Sequence, residues 1–203
     1  GRALPVATGV KLADPGLTVI VVTGDGVFFY FWGNNVIYSA RRNIDMTVVV
    51  FNNNIYGMTG GQFSPTTPTG DFATTAPYGS IDPDFDIPKL AEAAGATYTA
   101  RGTAYHVPQT VKLIENAIAH EGFSLVECVS VCPTYYGRKN KKGDAVEMLK
   151  WQRDNAVPAL KARAMSVEER KGKIVYGELS RCERPEYTKE YDKIIAAAGG
   201  AKA

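Results

Sequence analysis

Two clusters of polar residues in this sequence have the side chains and spacing of a metal and phosphate site. Gly24–Gly26, with the sequence Gly-Asp-Gly, comes just after the hydrophobic segment Leu17–Val22, and three asparagines, Asn52–Asn54, follow the hydrophobic segment Met46–Phe51. A carboxylate is a hard oxygen ligand that suits Mg²⁺, and glycine lets the backbone approach a ligand closely. Each cluster alone is also typical of a plain turn, because Gly and Asn tolerate left-handed backbone geometry.

The two hydrophobic segments have the composition of strands that are buried on both faces of a parallel sheet. They are short, rich in β-branched residues and almost uninterrupted by polar ones. A helix is predicted over Asn34–Asn43 between them, which completes a β-α-β unit. The carboxyl ends of both strands then meet at one edge of the sheet, where ligands bind. Asp25 and the asparagines are therefore predicted to share one octahedral Mg²⁺, with phosphate, water and a backbone carbonyl at its other positions.

A second alternation of helices and strands predicts that this sheet continues. The predicted elements are helix Ile87–Ala94 ended by Gly95, strand Thr97–Ala100, helix Pro108–His120 and strand Ser124–Val131. The segment Gly57–Gly79 is rich in Gly, Pro and Thr, and its length is typical of a functional loop. Its first residues, Gly57–Gln62, offer backbone amides to an anion. The chain is therefore predicted to be an α/β protein with a parallel sheet.

The C-terminal part of the chain differs in charge from the rest. Residues 1–137 contain 7 basic and 11 acidic side chains, a net charge of −4, whereas residues 138–203 contain 16 and 10, a net charge of +6. A charged helix is predicted over Asp144–Ala164, followed by an irregular tail. We therefore predict an α/β domain of residues 1–137 and a C-terminal arm of residues 138–203. The mixed signs in this arm argue against nucleic acid as a partner.

Composition excludes several other classes of protein. The longest apolar runs, Val19–Val22 and Val27–Trp32, are far shorter than the roughly 18 residues that cross a bilayer, so no membrane partner is expected. Three cysteines, Cys128, Cys132 and Cys182, form no disulfide framework, which favours a reducing, cytoplasmic setting. The chain does not begin with Met, which suggests an N-terminally incomplete sequence.

The residues around the two motifs identify a family. Gly-Asp-Gly, some 25 residues and then Asn-Asn is similar to the thiamine diphosphate-binding motif; further matching segments are Gly1–Gly9, Ser39–Thr47, Asn52–Gln62 and Cys132–Thr134. Together they resemble the β subunit of 2-oxoacid:ferredoxin oxidoreductases, from residue 1 to about residue 195. The segments Cys132–Asn140 and Arg184–Ile195 resemble the 2-oxoglutarate branch most.

The resemblance implies an activity, cofactors and partners. The implied activity is that of a thiamine diphosphate-dependent oxidoreductase, which converts 2-oxoglutarate to succinyl-CoA by oxidative decarboxylation and reduces ferredoxin through a [4Fe–4S] cluster. The implied partners are an α subunit, ferredoxin, the 2-oxoacid and coenzyme A. The resemblance places Mg²⁺ on Asp25, Asn53 and the backbone carbonyl of Ile55. It places the diphosphate on backbone amides of Gly26 and Val27 and on those near Gly57 and Met58, with Gly24 as a further cofactor-binding residue.

Cys132 is the candidate iron–sulfur ligand. A cysteine near the end of a strand is otherwise a small buried hydrophobe, and the two-residue period of a strand predicts that Cys128 and Cys132 share a face. The resemblance implies that Cys132 is the last of four cluster ligands and that the other three lie upstream of this chain. Four thiolates are normally required. Cys128 is predicted to belong to the core, and no role is predicted for Cys182.

Several interpretations stay open on sequence alone. The segment Val27–Trp32 departs from the family pattern, with Val27 in place of an Asp, Trp32 in place of a Gly and Asn35 in place of a His; it is a candidate for packing against a partner subunit. With the missing cysteines, it leaves a non-catalytic scaffold subunit as an alternative. A member specific for pyruvate or another 2-oxoacid is a second alternative.

Two further groups of residues have weak functional signals. A basic group follows Cys132 and is either a solvated face or a docking site for an acidic ferredoxin or for coenzyme A phosphates; its members are Arg138, Lys139, Lys141 and Lys142. The two histidines, His106 and His120, have no metal-binding spacing, and no catalytic role is predicted for them.

Overall fold

The centre of the molecule is a β-sheet with helices packed against it. The structure, a computed structural model, describes residues 2–30 and 33–199. Its strands are β1 (Ile20–Gly24), β2 (Met46–Asn52), β3 (Ile55–Tyr56), β4 (Gln62–Phe63), β5 (Tyr98–Thr103), β6 (Phe123–Val129), β7 (Ala156–Pro158) and β8 (Ile174–Arg181). Its helices are α1 (Ala3–Ala13), α2 (Asp25–Tyr30), α3 (Gly33–Arg42), α4 (Ile87–Ala93), α5 (Val107–Ala119), α6 (Ala145–Asn155), α7 (Ala159–Ala162), α8 (Val167–Arg170) and α9 (Tyr187–Ala197), with a π-helical turn over Pro133–Gly137.

The sheet is mainly parallel, which confirms the predicted α/β class. Its strand order is β1-β2-β6-β5-β8-β7, while β3 and β4 form a separate small hairpin. The first four strands of this order run parallel, β8 is antiparallel to β5, and β7 is parallel to β8. Strand β2 lies inside the sheet, and only Phe51 of its seven residues is exposed.

The burial predicted for the first strand is only half correct. Strand β1 begins three residues later than the predicted segment Leu17–Val22 and ends at Gly24. Ile20 and Val22 are 46% and 63% exposed, whereas Val21 is buried. The prediction of burial on both faces is therefore wrong for β1, because this strand lies at the edge of the sheet and the described residues leave one of its faces uncovered.

Several other elements differ from their predicted boundaries. Helix α2 was not predicted, so the connection from β1 to β2 contains two helices rather than one. Gly95 ends the helix before β5 as predicted, with a φ of +105° that favours glycine. Strand β6 ends at Val129, so Cys132 lies beyond it and the two-residue period does not reach from Cys128 to Cys132. The prediction that these cysteines share a strand face is wrong.

The C-terminal part is more regular than predicted. The predicted helix Asp144–Ala164 ends at Asn155, because Pro158 lacks an N–H and disfavours helical geometry in the preceding residue. Asp144 is the N-cap of α6 and forms a capping box with Glu147. The predicted irregular tail instead supplies β8, which pairs with β5, and helix α9. The division into residues 1–137 and 138–203 stays a prediction.

The segment before α9 is held against the sheet domain by hydrogen bonds. The Arg184 guanidinium donates to the carbonyls of Gly95 (2.7 Å) and Arg41 (3.0 Å), near the carboxyl ends of α4 and α3. Buried Asn43 donates to the carbonyl of Arg184, and Glu186 accepts from the backbone N–H of Asp45. Among the residues that the structure describes, no helix has the length and apolar character needed to span a membrane.

Candidate functional site

The two predicted motifs meet at the carboxyl edge of the sheet. Strand β1 ends at Gly24, which lies opposite Phe51 of β2 in the parallel register. Asp25 begins α2 directly after β1, and the asparagines follow the end of β2. The β-α-β interpretation of the sequence therefore placed these two segments correctly, because parallel neighbouring strands end side by side.

Asp25 is a buried carboxylate held by two hydroxyl groups. It is 3% exposed. Its Oδ2 accepts hydrogen bonds from Ser64 Oγ (2.7 Å) and Thr66 Oγ1 (2.6 Å), and the backbone N–H of Asn53 also donates to the carboxylate. Burial raises the pKa of Asp25, while the hydrogen bonds from Thr66 and Ser64 oppose that rise. Sequence analysis missed Ser64 and Thr66; their only signal is that they lie in the Gly57–Gly79 loop.

The three asparagines have separate roles. Asn52 is buried, and its Oδ1 accepts from the N–H of Asn54 (3.0 Å). Asn53 is partly buried, and its Oδ1 accepts from the N–H of Ile55 (3.2 Å). Asn54 adopts a φ of +62°, a left-handed geometry that asparagine tolerates. The turn therefore brings Asn53 and Ile55 to the edge where Asp25 lies.

The backbone segments predicted to hold a diphosphate are joined by Tyr56. Gly26 and Val27 lie in the first turn of α2, where backbone N–H groups lack helical partners. The Tyr56 hydroxyl donates to the carbonyl of Gly26 (2.8 Å), and a β-carbon at Gly26 would lie 2.2 Å from the Tyr56 ring. Only glycine fits there. Gly57 and Met58 directly follow Tyr56, so both predicted amide segments lie close to each other.

The departure Val27–Trp32 is partly explained by the core. Phe28 is completely buried with residues such as Leu4 and Val21, and Val27 packs against the same cluster. The idea that the segment packs on a partner subunit is therefore wrong for Phe28. Trp32 lies outside the described residues.

Cys132 lies beside the predicted diphosphate loop, whereas the other cysteines do not. A β-carbon at Gly57 would lie 3.2 Å from Cys132 Sγ. Cys128 is buried in a separate core cluster, where burial raises the pKa of its thiol to about 11, and Cys182 is exposed. No group of three or more His, Cys, Asp and Glu side chains in the described parts of the chain is arranged to hold a metal ion. These residues do not hold an iron–sulfur cluster by themselves.

A cavity of about 550 Å³ opens beside the asparagine turn. Its wall includes Asn53, Ser130 and Trp151 together with Lys141 and Lys142. All four members of the predicted basic group are exposed, and Lys141 and Lys142 are the two of them that line this cavity.

Neither histidine is arranged for catalysis. His106 Nδ1 is hydrogen-bonded to Thr103 Oγ1 (2.8 Å), and its ring stacks on Tyr176. His120 is buried and bonded to Thr97 Oγ1 (2.8 Å), and burial lowers its pKa. The absence of a catalytic role for either histidine stays a prediction.

Comparisons with known proteins give a consistent result. A family model described as thiamine pyrophosphate enzyme, C-terminal TPP binding domain, matches residues 1–128. The 2-oxoglutarate synthase subunit KorB of Methanothermobacter marburgensis is 50% identical over 186 residues, which cover 92% of this chain and 65% of that relative. The subunit of the same name from Methanocaldococcus jannaschii is 52% identical over 195 residues, which cover 96% and 72%.

One solved structure has a similar fold over almost the whole chain. It is the 2-oxoglutarate:ferredoxin oxidoreductase from Magnetococcus marinus with 2-oxoglutarate, coenzyme A and succinyl-CoA bound. The TM-score is 0.85 at 33% sequence identity, and the match covers 98% of this chain and 69% of that chain. The chain thus spans about two thirds of the length of these relatives.

Proposed function

Because the chain belongs to the family of 2-oxoglutarate synthase KorB subunits, which are thiamine pyrophosphate enzymes, we propose that it is the thiamine diphosphate-binding β subunit of a 2-oxoacid:ferredoxin oxidoreductase. The proposed reaction is the oxidative decarboxylation of 2-oxoglutarate to succinyl-CoA, with ferredoxin as the electron acceptor. The proposed partners are an α subunit and ferredoxin, and the proposed location is the cytoplasm.

The observation that carries this proposal is the position of buried Asp25 next to the asparagine turn. A buried carboxylate that two hydroxyl groups orient, and that accepts a hydrogen bond from the backbone N–H of Asn53, is a ligand that fits a small hard cation beside the asparagine turn. In the proposal, Asp25, Asn53 and the carbonyl of Ile55 bind Mg²⁺.

The backbone of this chain would hold the diphosphate of the cofactor. The N–H groups of Gly26 and Val27 and those near Gly57 and Met58 are the proposed donors, and Gly24, at the end of β1, is a further proposed cofactor-binding residue. Thiamine diphosphate, when bound, supplies the carbanion chemistry that decarboxylates 2-oxoacids. The residues of this chain would orient it.

Cys132 is proposed as one ligand of a [4Fe–4S] cluster whose other ligands lie outside the described residues. Its support is its place beside Gly57, which puts the thiol next to the proposed cofactor loop. Lys141 and Lys142 are the proposed cations for the second carboxylate of 2-oxoglutarate, because they line the cavity that also contains Asn53.

The test uses the full-length chain, produced together with its partner subunit. Calorimetric titration with thiamine diphosphate is expected to show binding that requires Mg²⁺, and 2-oxoglutarate with coenzyme A is expected to reduce a viologen dye. A non-catalytic scaffold subunit would show neither. Mg²⁺-dependent cofactor binding without dye reduction would reject the redox reaction but keep the cofactor site.

A further inference from the structure

A buried ion pair lies in the sheet close to the proposed metal site. Glu127 of β6 is 2% exposed and lies opposite Arg101 of β5 in the strand register. Arg101 Nε donates to Glu127 Oε2 (2.5 Å), and its Nη2 donates to Asp86 Oδ1 (2.8 Å) at the N-cap of α4. A buried ion pair often adds little net stability, because desolvation offsets the attraction between the charges. This pair has a further contact that points to a second role.

The other oxygen of Glu127 binds the first asparagine of the turn. Asn52 Nδ2 donates to Glu127 Oε1 (2.7 Å), while Asn52 Oδ1 accepts from the N–H of Asn54 (3.0 Å). A carboxylate only accepts hydrogen bonds and a backbone N–H only donates them, so these two partners allow one orientation of the Asn52 amide. The ion pair thereby orients the side chain that closes the asparagine turn.

Thr66 connects the same amide to Asp25. Its hydroxyl oxygen lies 3.0 Å from Asn52 Oδ1 and 2.6 Å from Asp25 Oδ2. One hydroxyl has one proton, and the charged, closer carboxylate takes it. Asn52 Oδ1 therefore packs directly against the Thr66 hydroxyl that donates to Asp25.

We propose that Arg101, Glu127 and Asn52 form a positioning chain that sets the geometry of the Mg²⁺ and thiamine diphosphate site, an inference that rests on the proposed function. The side-chain hydrogen bonds of Arg101 and Glu127 join them to each other, to Asn52, to Asp86 and to the carbonyl of Val175, and none of these is a proposed metal ligand or diphosphate donor. They act through Asn52, which shapes the turn that carries Asn53 and Ile55. The chain extends to Asp86, so the start of α4 is coupled to the same site.

Glu127→Gln tests the link with the smallest change of shape. The guanidinium of Arg101 only donates, so it binds the amide oxygen of the new Gln and turns the NH₂ group toward Asn52 Nδ2. Two donors then face each other, and Asn52 rotates away from its bond with Asn54. We expect the affinity for thiamine diphosphate in the presence of Mg²⁺ to fall at least tenfold.

The double variant Arg101→Met/Glu127→Gln distinguishes positioning from general stability. With Arg101 removed, the Gln oxygen is free to accept from Asn52 Nδ2 again, so we expect the affinity to return to within about threefold of the wild type. If the pair merely stabilised the sheet, the affinity of each variant would instead follow the melting temperature of the cofactor-free protein, because replacing both members of a buried ion pair also removes the unpaired charge.

Asp45→Asn is the matched control. Asp45 forms an ion pair with Lys11 (2.6 Å), whose side chain is 5% exposed. The pair lies at the amino-terminal ends of β1 and β2, on the side of the sheet opposite to the candidate site. This variant should lower the melting temperature of the cofactor-free protein, because it removes the charged partner of the buried Lys11 ammonium. It should leave the affinity for thiamine diphosphate within twofold of the wild type.

The experiment compares calorimetric affinities and cofactor-free melting temperatures in the assembled, full-length complex. Wild-type affinity in Glu127→Gln, an equal loss in Asp45→Asn, or no recovery in the double variant would overturn the positioning chain. If Glu127→Gln does not fold, Asn52→Ala replaces it; this variant keeps the ion pair and should show the same loss, and wild-type affinity there also overturns the inference. Absence of Mg²⁺-dependent binding in the wild type would instead overturn the proposed function itself.

Discussion

A β-carbon at Gly57 would lie 3.2 Å from the sulfur of Cys132, so the candidate cofactor loop and the candidate cluster ligand are in contact. Cys132 lies three residues beyond the end of β6, and Gly57 follows the small strand β3. Their contact brings together two segments that are far apart in sequence. We therefore expect a substitution at either residue to alter the position of the other.

Asp25→Ala should abolish Mg²⁺-dependent binding of thiamine diphosphate. The substitution removes the carboxylate from a proposed hard-cation site and leaves the hydroxyls of Ser64 and Thr66 without their acceptor. Calorimetric titration of the assembled enzyme measures the effect. Asp82→Ala, which removes an exposed carboxylate, is the control and should bind the cofactor normally. Unchanged cofactor affinity in Asp25→Ala would reject the metal assignment.

Cys132→Ser in the full-length chain should keep thiamine diphosphate but lose or convert the iron–sulfur cluster. A hydroxyl is a much poorer ligand for iron than a thiolate, so the electron paramagnetic resonance signal and 2-oxoacid-dependent ferredoxin reduction should both decrease. Cys182→Ser changes an exposed cysteine and should leave both readouts intact. A wild-type signal together with wild-type reduction in Cys132→Ser would make this residue structural.

Lys142→Ala should weaken the use of 2-oxoglutarate more than that of pyruvate. The two substrates differ by a carboxylate, which a positioned Lys binds by a charge-assisted hydrogen bond. We expect the specificity constant kcat/KM for 2-oxoglutarate to fall about tenfold and that for pyruvate to stay within about twofold, measured with a viologen dye; a tenfold change corresponds to about 1.4 kcal/mol.

Lys142 is preferred to Lys141 for this test, because Lys141 has a φ of +51° and its substitution would also alter the backbone. Lys139→Ala, outside the cavity wall, is the control. An equal fall in kcat/KM for both substrates would reject the role of Lys142. If the wild-type enzyme itself prefers pyruvate, the 2-oxoglutarate assignment is rejected.

His120 should make the protein less stable as the pH falls below about 6.5. Burial lowers the pKa of His120 from its usual 6.5, so the unfolded state binds more protons than the folded state in this range. Its contribution to stability is present above pH 6.5 and is lost as the pH falls through the folded pKa. Urea unfolding at pH 7 and pH 5 should therefore show a smaller decrease for His120→Gln than for the wild type. If the free energy of unfolding of His120→Gln falls as much as that of the wild type, the pH dependence is not due to His120. His106→Gln is the control with the other histidine changed.

The place proposed for the cofactor site follows from local features of the sequence. The β-branched segments before Asp25 and Asn53 predict neighbouring parallel strands, and parallel strands end at the same edge whatever their detailed packing. That local logic also placed Gly95 at a helix end. These features depend on residue types and short-range spacing, which a sequence displays directly.

The side chains that hold Asp25 and Asn52 in place are visible only in the folded chain. Ser64 and Thr66 reach Asp25 from an irregular loop, and the Glu127–Arg101 pair reaches Asn52 across two strands. Strand β8 enters the sheet from a segment predicted to be irregular, and β1 exposes a face because of its position at the sheet edge. These contacts join residues that are far apart in sequence, and they depend on the order of the strands in the sheet. Local periodicity and residue propensities therefore cannot predict them.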